Sequence, residues 1–587
     1  MTKVAVVAET LGEALRRAAE LGPDHGLRFL DRKERATLVT WPEVLERAVR
    51  VSAGLQALGI QPGDRVGLVF PTSPGFFDGF FGAVLAGAVP VPLYPPVRLG
   101  RIDEYHKRTA AMLTAASARL ILADGRVRRV LGETVALAAP ELGCLGVDGL
   151  PAGDAPPVSV SEDVLALVQF SSGTTVAPKP VALSHRAVIA QATLIEAQIV
   201  AAWPEVDGLQ HCGVCWLPLY HDMGLIGCVL PALLHPSTLT LIGPEVFVTR
   251  PASWLRALST YGGTISPAPN FAYALCVDRI KDEQLEGVDL SSWRVAMNGA
   301  EPVAPATLRR FVERFAKWGL RPEALTPVYG LSEASLAVTF TPFRRPFTTC
   351  RFDRLRLAEG VAEEVGTNDG AELASLGLPL DGFELQLRDG ADALPEGRVG
   401  QLWIRGPSLM EGYLDRPEAT AATFDGDWLD TGDLGFLHGG ELYLTGRAKD
   451  VLILRGRNYA PHEVEQAADA VAGVRTGCAA AASWLPEGAD HEALALFVEH
   501  REDATAEQIA ALPVAAADAV RAAAGLGCDL VVALPPGTLP RTSSGKIRRA
   551  EALKRYLDGT LTPPKKVTPV HIAGVLARSG LAWLRSR

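Results

Sequence analysis

The stretch Val164–His185, VLALVQFSSGTTVAPKPVALSH, decides the fold class. It consists of an apolar segment followed by a hydroxyl-rich loop, and a helical pattern begins at its end. VLALVQF is typical of a buried strand, and HRAVIAQATLIEAQIV, which begins at the last residue of the stretch, has a helical pattern. A loop between a strand and a helix turns backbone N–H groups and the helix dipole toward an anion. The loop Ser171–Thr175 therefore predicts a phosphate site.

Two residues of this loop depart from the usual composition of a phosphate loop. Val176 and Pro180 stand where glycine would be favoured. Val176 does not easily adopt a positive φ, and Pro180 has no N–H to donate. We expect the second half of the loop to take an altered conformation and the hydroxyl-bearing half to work. A nucleotide-binding pseudoenzyme is the alternative.

The pattern of helices and strands changes along the chain and divides it into regions. Residues 40–155 alternate helical and strand patterns, which favours an α/β unit with largely parallel strands. CGVCWLPLY, Cys212–Tyr220, is interpreted as an apolar strand. The prediction is an α/β protein with a large N-terminal domain, 1–446, made of two α/β subdomains and a small β-rich subdomain from about 380, followed by a smaller α+β C-terminal domain, 447–560, on a hinge, and a basic tail, 561–587.

Composition narrows the class of protein. The net charge of -10 argues against a nucleic-acid partner. The longest apolar stretch, Gly79–Tyr94, contains two prolines and is too short for a membrane span, so a buried helix and strand are expected. Only Cys212 and Cys215 form a C-x-x-C pair among eight scattered cysteines, which favours buried, reduced thiols. With no visible secretory signal, we expect a cytoplasmic protein.

Common nucleotide and hydrolase signatures are missing from the sequence. It has neither G-x-x-x-x-G-K-[ST] nor a G-x-G-x-x-G that follows a strand. Gln169 replaces the first glycine of a G-x-S-x-G nucleophile elbow, which argues against a serine hydrolase.

Six blocks occur in a characteristic order. They are FSSGTTVAPKPVALSH (170–185), LPLYHDMG (217–224), NGAEP (298–302), YGLSE (329–333), WLDTGDLG through GRAKDVLILRGRNYAPHEVE (428–465), and LPRTSSGKIRR (539–549). Over about residues 35–557 the chain resembles the adenylate-forming superfamily of acyl-CoA synthetases, peptide-synthetase adenylation domains and luciferases. The resemblance implies ATP and Mg²⁺ as cofactors.

The resemblance also implies roles for individual residues. Lys546 would bridge the substrate carboxylate and the α-phosphate, His221 would gate the acyl site, and Glu333 would bind Mg²⁺. Asp450 would act as the hinge. The implied ATP- and AMP-binding residues are Ser171, Ser172, Gly173, Thr174, Thr175, Gly299, Ala300, Glu301, Pro302, Tyr329, Gly330, Ser332, Asp433 and Arg447.

The chemistry of carboxylate activation agrees with these residue types. A carboxylate becomes a good acyl donor when it attacks the α-phosphorus of ATP and releases pyrophosphate. Both reactants are anions, and two unit charges about 4 Å apart repel by roughly 4 kcal/mol at an effective dielectric of 20. The site must therefore supply cations and positioned donors.

A long segment after Glu333 indicates one branch of the superfamily. The inserted segment, about 341–375, is longer than expected in an acyl-CoA synthetase. It resembles the extra segment of fatty acyl-AMP ligases, as do WLPLYHDMGLIG and YGLSEASLAVTF. That branch passes a medium- or long-chain acyl group to the phosphopantetheine thiol of an acyl carrier protein. An acyl-CoA or aryl-CoA ligase with an incidental insertion is the alternative.

The acyl pocket and the tail are less well defined by sequence. Each buried CH₂ contributes about 0.8 kcal/mol, so an apolar pocket can hold a fatty acid without polar contacts. The candidate walls are Met223, Gly224, Asn270 and Phe271.

The tail has basic residues and no acid after Asp558, so it could bind an acidic carrier protein or simply pack as a helix.

Overall fold

The computed structural model describes most of the chain. The described residues are 8–97, 99–170, 178–203, 211–366, 370–454, 457–486, 489–542 and 545–585. The hydroxyl-rich half of the phosphate loop, Ser171–Thr175, and Val176 lie outside these residues.

The first α/β unit has the parallel sheet that the sequence predicts. Its strands run in the order Val89–Leu93, Arg65–Val69, Ala118–Ala123, Cys144–Leu145, and all are parallel. The apolar stretch Gly79–Tyr94 is the end of helix Pro74–Leu85 followed by a strand, as expected. Thr40 and Glu43 form a capping box that starts helix Trp41–Ala57.

The second α/β unit is a mixed sheet. Its first part runs in the order Ala36–Thr40, Gly26–Leu30, Leu239–Ile242, Gly213–Cys215. Single bridges at Ile265 and Ala268 connect it to the part that runs Ala296–Asn298, Leu325–Gly330, Ala337–Phe340, Leu378–Pro379. The expected strand Cys212–Tyr220 is wrong in length, since only Gly213–Cys215 is a strand and Pro218 offers no N–H for a longer ladder.

The loop motif lies at a junction between units. Strand Leu165–Phe170 pairs with Pro180–Ser184, which also pairs with Gly412–Tyr413. Pro180 is the first residue of its strand, a position where a missing N–H is tolerated. Its carbonyl accepts a 2.8 Å hydrogen bond from the N–H of Leu414.

The β-rich unit that the sequence predicts is an antiparallel sheet. Its longest strand, Trp428–His438, pairs with Gly400–Arg405, Phe424–Asp425 and Glu441–Arg447. The remaining strands are Glu384–Asp389 and Asp392–Ala393. Between strands Ala337–Phe340 and Leu378–Pro379 of the mixed sheet, the chain forms a separate antiparallel strand pair, Thr349–Phe352 with Ala371–Ala374.

The smaller C-terminal region is α+β. Strands Val474–Trp484, Ala493–His500 and Leu530–Leu534 form a sheet, and Leu452–Leu454 pairs with Arg457–Tyr459. The tail helix Pro569–Arg585 packs back on helix Gly132–Ala138, where Gly132 N–H donates to Ser579 Oγ at 2.9 Å.

The helices complete the layers on these sheets. The cysteines are all free thiols; Cys144, Cys215, Cys228, Cys276 and Cys478 are buried and the other three are half-buried. Among the described residues, no helix has the length and hydrophobicity that a membrane crossing requires. Further helices are Leu11–Leu21, Ile102–Ala115, Gly125–Arg128, His185–Ala201, Asp222–Gly224, Leu230–Leu234, Pro244–Thr249, Ala252–Thr260, Asn270–Arg279, Pro305–Phe315, Arg354–Ala358, Pro417–Ala421, Pro461–Asp469, Ala506–Ala524 and Arg549–Leu557.

Candidate active site

One cavity of about 380 Å³ brings together residues that are far apart in sequence. Its lining contains two kinds of side chain: we call the polar group His221, Glu333, Arg447 and Lys546 the polar end, and the apolar group Ile195, Met223, Leu336 and Phe340 the apolar end. Lys546 belongs to the C-terminal region, so both regions contribute to the same cavity.

Two hydrogen bonds between Thr542 and Lys546 position the backbone of Lys546 beside the cavity. Thr542 N–H donates to the carbonyl of Lys546 at 2.8 Å, and Lys546 N–H donates to Thr542 Oγ1 at 3.0 Å. Desolvation and the nearby Arg447 guanidinium lower the pKa of Lys546, while the carboxylates of Asp222 and Asp433 act in the opposite direction. Burial and Arg447 thus make the positive charge of Lys546 costly, and the nearby carboxylates offset only part of that cost.

Asp433 lies just behind the cavity wall with both carboxylate oxygens engaged. It is 5% exposed. Tyr329 Oη donates to Oδ2 at 2.7 Å, and Arg447 Nε donates to Oδ1 at 2.9 Å. Asp433 and Arg447 face each other in the antiparallel strand pair, which explains their contact. A carboxylate has about four lone-pair sites, so capacity remains for hydroxyl donors.

Asp222 is a buried acid that sequence reasoning missed. His221 Nδ1 lies 2.5 Å from Asp222 Oδ1, and Ser332 Oγ donates to Oδ2 at 2.5 Å. Burial opposes ionisation, but His221, Ser332 and Lys546 outweigh it and lower the pKa of Asp222 to about 2. Asp222 is therefore an anion that orients the imidazole. The signal was its position beside His221 in LPLYHDMG.

Glu333 is held by a tyrosine from another unit. Tyr413 Oη donates to Glu333 Oε1 at 3.0 Å, and Lys179 Nζ donates to Tyr413 Oη at 3.5 Å. Lys179 Nζ also lies 4.5 Å from the centre of the Tyr413 ring. Tyr413 pairs with Val181 beside the phosphate loop, a strand pairing that no sequence signal indicated.

The donor chemistry around Glu333 fits a Mg²⁺ ion. Mg²⁺ prefers oxygen ligands and is usually held by one or two carboxylates together with water and phosphate oxygens. Glu333 offers carboxylate oxygens at the cavity wall, and Ser332 and Asp222, whose side chains hydrogen-bond to each other, add oxygen atoms to the lining of the same cavity.

The apolar end of the cavity is built mainly from residues that the sequence did not indicate. Ile195, Leu336 and Phe340 line it together with Met223 and Gly227. Gly227 lies in a π-helical turn, Leu225–Val229, a feature often found at functional sites. A Cβ atom at Gly227 would lie 2.7 Å from Leu336 Cδ2, so this glycine keeps the channel wide.

Close contacts with neighbouring atoms explain three of the glycines in the motifs. A Cβ at Gly330 would lie 1.9 Å from the carbonyl oxygen of Leu336, and one at Gly299 would lie 2.7 Å from Val328 Cγ2. A Cβ at Gly224 would lie 2.3 Å from the carbonyl oxygen of Pro218. Each of these positions therefore requires a residue without a side chain.

The structure separates the predicted site residues into two groups. Asn270 holds backbone instead of facing the cavity, since its Oδ1 accepts from Ala304 N–H at 3.1 Å. Phe271 packs on Trp216, and desolvation raises the pKa of Glu301, whose carboxylate accepts from Phe271 N–H. Predicted residues that line the cavity are His221, Met223, Ala300, Tyr329, Gly330, Ser332, Glu333, Arg447 and Lys546; those described that do not are Gly224, Asn270, Phe271, Gly299, Glu301, Pro302, Asp433 and Asp450.

The inserted segment contacts both regions of the protein. Arg345 pairs with Glu441 of the β-rich unit. Arg354 Nη1 lies 3.1 Å from Glu463 Oε2 in the C-terminal region. Asp450, the predicted hinge residue, accepts from Arg549 Nη1 at 3.1 Å and so is tied to helix Arg549–Leu557.

The fold and the cavity define an adenylate-forming protein, and comparison with known proteins agrees. A model of the family described as AMP-binding enzyme matches residues 15–414. The chain belongs to this AMP-binding enzyme family.

The chain is similar to several adenylate-forming proteins along nearly its whole length. A 4-hydroxyphenylalkanoate adenylyltransferase of Mycobacterium marinum is 33% identical over 96% of this chain and 93% of its own length. The long-chain-fatty-acid–AMP ligase FadD26 of Mycobacterium bovis is 34% identical over 90% and 92% of the two chains. A structure from a study of fatty acyl-adenylate ligases of E. coli and L. pneumophila has a TM-score of 0.87 at 33% identity, covering 94% of this chain and 98% of its own.

Proposed function

We propose that the protein activates a medium- or long-chain fatty acid with ATP to form acyl-AMP and pyrophosphate, and then passes the acyl group to the phosphopantetheine thiol of an acyl carrier protein. The observation that carries this proposal is the shared cavity, which Lys546 of the C-terminal region lines together with Glu333, Arg447 and a group of apolar side chains. The fatty acyl-AMP ligases among the similar proteins support the substrate class.

The side chains have complementary roles in this reaction. A carboxylate oxygen of the fatty acid bonds to the α-phosphorus of ATP, and the bond from that phosphorus to the bridging oxygen of pyrophosphate breaks. Lys546 offsets charge between the two anions and orients both, as a point cation on a flexible stem. Asp433 accepts the ribose hydroxyls, with Tyr329 and Arg447 fixing its orientation. His221, oriented by Asp222, borders the acyl carboxylate.

Glu333 is the proposed magnesium ligand. When bound, Mg²⁺ would neutralise phosphate charge during displacement of pyrophosphate. Tyr413 holds one Glu333 oxygen by its 3.0 Å hydrogen bond, which keeps the carboxylate oriented. The loop Ser171–Thr175, which lies outside the described residues, is proposed to hold the β- and γ-phosphates.

The contacts of the inserted segment support a carrier protein as the acceptor. Thiol transfer requires Lys546 to leave the cavity, with movement of the C-terminal region about the hinge near Asp450. The Arg354–Glu463 ion pair links the inserted segment to that region in the pose that holds Lys546 inside. Such a contact would disfavour the rearrangement that CoA needs.

The first experiment compares acyl acceptors. Full-length protein is incubated with ATP, Mg²⁺ and straight-chain acids of increasing length, with either CoA or a phosphopantetheinylated carrier protein. We expect acid-dependent pyrophosphate exchange and faster formation of acyl-carrier than of acyl-CoA. Equal rates for the two acceptors would favour an acyl-CoA ligase. ATP binding without pyrophosphate exchange for any acid would favour a pseudoenzyme.

The second experiment tests the inserted segment. Arg354→Ala should raise acyl-CoA formation several-fold because it removes the ion pair to Glu463. Arg356→Ala is the matched control, since Arg356 lies in the same short helix and pairs with Glu359 and Glu363 of the segment itself. Equal acyl-CoA rates in the two variants would contradict the proposed restraint.

A further inference from the structure

Three potential metal ligands meet where the inserted segment packs on the β-rich unit. They are Cys350, Glu364 and His438, and one ligand atom of each lies within 4.8 Å of the others. This cluster is separate from the candidate active site, since none of the three residues lines that cavity.

Strand geometry places these side chains on facing surfaces. Cys350 and Phe352 are two residues apart in one strand, and Glu364 bridges opposite Phe352, so all three side chains project from the same face. Phe436 and His438 are two residues apart on the long strand that this face covers. The cluster therefore follows from the register of two packed sheets.

A rigid aromatic wall supports one side of the cluster. Phe352 and Phe436 are fully buried and contact edge to face at 4.8 Å between ring centres. Tyr443 stacks on Phe436, and its Oη donates to Cys350 Sγ at 3.5 Å. The thiol is thereby held by a neighbour that does not compete for a metal position, as is common around metal ligands.

The other side of the cluster is open to solvent. The side chains of Glu364 and His438 are 52% and 32% exposed. His438 Nε2 lies 2.9 Å from Glu364 Oε2, so the imidazole and the carboxylate already meet. An ion could enter from this side, and a water molecule could complete its coordination.

Donor type and charge both favour a divalent ion that accepts sulfur, nitrogen and oxygen. The carboxylates of Glu364 and of the nearby Glu441 supply negative charge that attracts a cation. Cysteine, histidine and glutamate are the ligands of Zn²⁺, which takes four ligands in a tetrahedron. Donor atoms in such a site are about 3.3–3.6 Å apart, so side-chain shifts of roughly 1 Å would close this cluster.

We propose that Cys350, Glu364 and His438 form a zinc-binding site, with water as the fourth ligand, that fastens the inserted segment to the β-rich unit. Binding would release the thiol proton and form a Zn–S bond, with no change of oxidation state. The ion would link two positions of the segment to strand Trp428–His438, which also carries Asp433.

Cobalt titration of the metal-free full-length protein tests the proposal. Co²⁺ is the probe because a thiolate ligand gives a near-ultraviolet charge-transfer band. We expect one Co²⁺ per chain with this band, displacement by Zn²⁺ and no displacement by Mg²⁺. Absence of the band, or its displacement by Mg²⁺, would overturn the proposal.

Variants assign the band to the cluster. Cys350→Ser should abolish the band. His438→Gln should weaken Co²⁺ binding by about tenfold or more, because loss of a metal ligand costs at least as much affinity as loss of a residue that hydrogen-bonds to a ligand. Cys528→Ser, which changes a half-buried thiol elsewhere, should leave the titration unchanged.

The melting temperature distinguishes loss of the metal site from misfolding of a variant. Zn²⁺ should raise the melting temperature of the parent protein and of Cys528→Ser, but not that of Cys350→Ser or His438→Gln. The same band in Cys350→Ser, or an equal rise in melting temperature in all four proteins, would refute the site. Neither the cobalt titration nor the melting measurement depends on acyl-AMP formation, so the test of the zinc site is independent of the proposed function.

Discussion

The two ends of the active-site cavity are held together by different forces. Around the polar end, Asp433 contacts Tyr329 and Arg447 at 2.7 and 2.9 Å. Asp222 contacts its sequence neighbour His221 and the distant Ser332, both at 2.5 Å. At the apolar end, Ile195, Leu336 and Phe340 meet through undirected packing. The polar end therefore depends on particular atoms, whereas the apolar end depends on shape and volume. Variants at the two ends should fail in different ways.

The largest effect is expected at Lys546. Lys546→Ala should reduce acid-dependent pyrophosphate exchange by about 100-fold or more, because it removes a positioned charge between two anions. The loss should be the same for short and long acids, which marks a defect of the polar end. Lys554→Ala, at an exposed position of the neighbouring helix, is the control and should retain full exchange activity. An unchanged rate in Lys546→Ala would contradict the assigned role.

The second largest effect is a loss of folding stability when Asp222 is replaced. The pKa of Asp222 is lowered from 3.8 to about 2, so Asp222→Asn should cost about 2 kcal/mol in the free energy of unfolding. Because the folded-state pKa is the lower one, this contribution is complete above about pH 5 and is lost as pH falls through the folded-state value.

The check on Asp222 is the melting temperature at pH 6 and pH 8. The difference between Asp222→Asn and the parent protein should be equal at the two values. Asp558→Asn, an exposed position, should melt like the parent protein. A deficit that disappears between pH 8 and pH 6 would show that Asp222 is not the buried anion described here.

A smaller and chain-length-dependent effect is expected at the apolar end. Gly227→Leu should narrow the channel against Leu336. Exclusion of two methylenes costs about 1.6 kcal/mol, so kcat/KM for long acids should fall about tenfold. Rates with a short acid are the internal control and should stay near those of the parent protein. An equal loss for all chain lengths would mean that Gly227 acts on the polar end.

The smallest effect is expected at Tyr329. Tyr329→Phe removes the 2.7 Å hydrogen bond to Asp433 and keeps the ring, so it should cost about 1 kcal/mol. We expect KM for ATP to rise about fivefold with little change in chain-length preference. A shift in chain-length preference without a change in KM for ATP would break the separation of the two ends.

Sequence predicted the polar end better than the apolar end. Lys546, Glu333, His221 and Arg447 come from ordered motifs, and the structure brings them to one cavity. Asp222 was overlooked although it stands beside His221. Tyr413 could not be found, because its contact with Glu333 depends on a strand pairing between distant segments.

The apolar walls were harder to predict for a physical reason. Of the residues expected as acyl-pocket walls, Met223 lines the cavity, whereas Gly224, Asn270 and Phe271 do not. Apolar residues fill every core of this protein, so composition does not distinguish a channel wall from ordinary packing. The altered half of the phosphate loop stays a prediction, since Val176 lies outside the described residues.

The sequence by itself determined the α/β class, the order of the motifs and the charged groups, because strand and helix periodicity and polar side chains leave local signals. Only the tertiary structure decided which strands pair, that Gly227 opens a channel beside Leu336, and that Cys350, Glu364 and His438 meet. These contacts join residues that are distant in the chain, and they depend on register and packing, which no local pattern encodes.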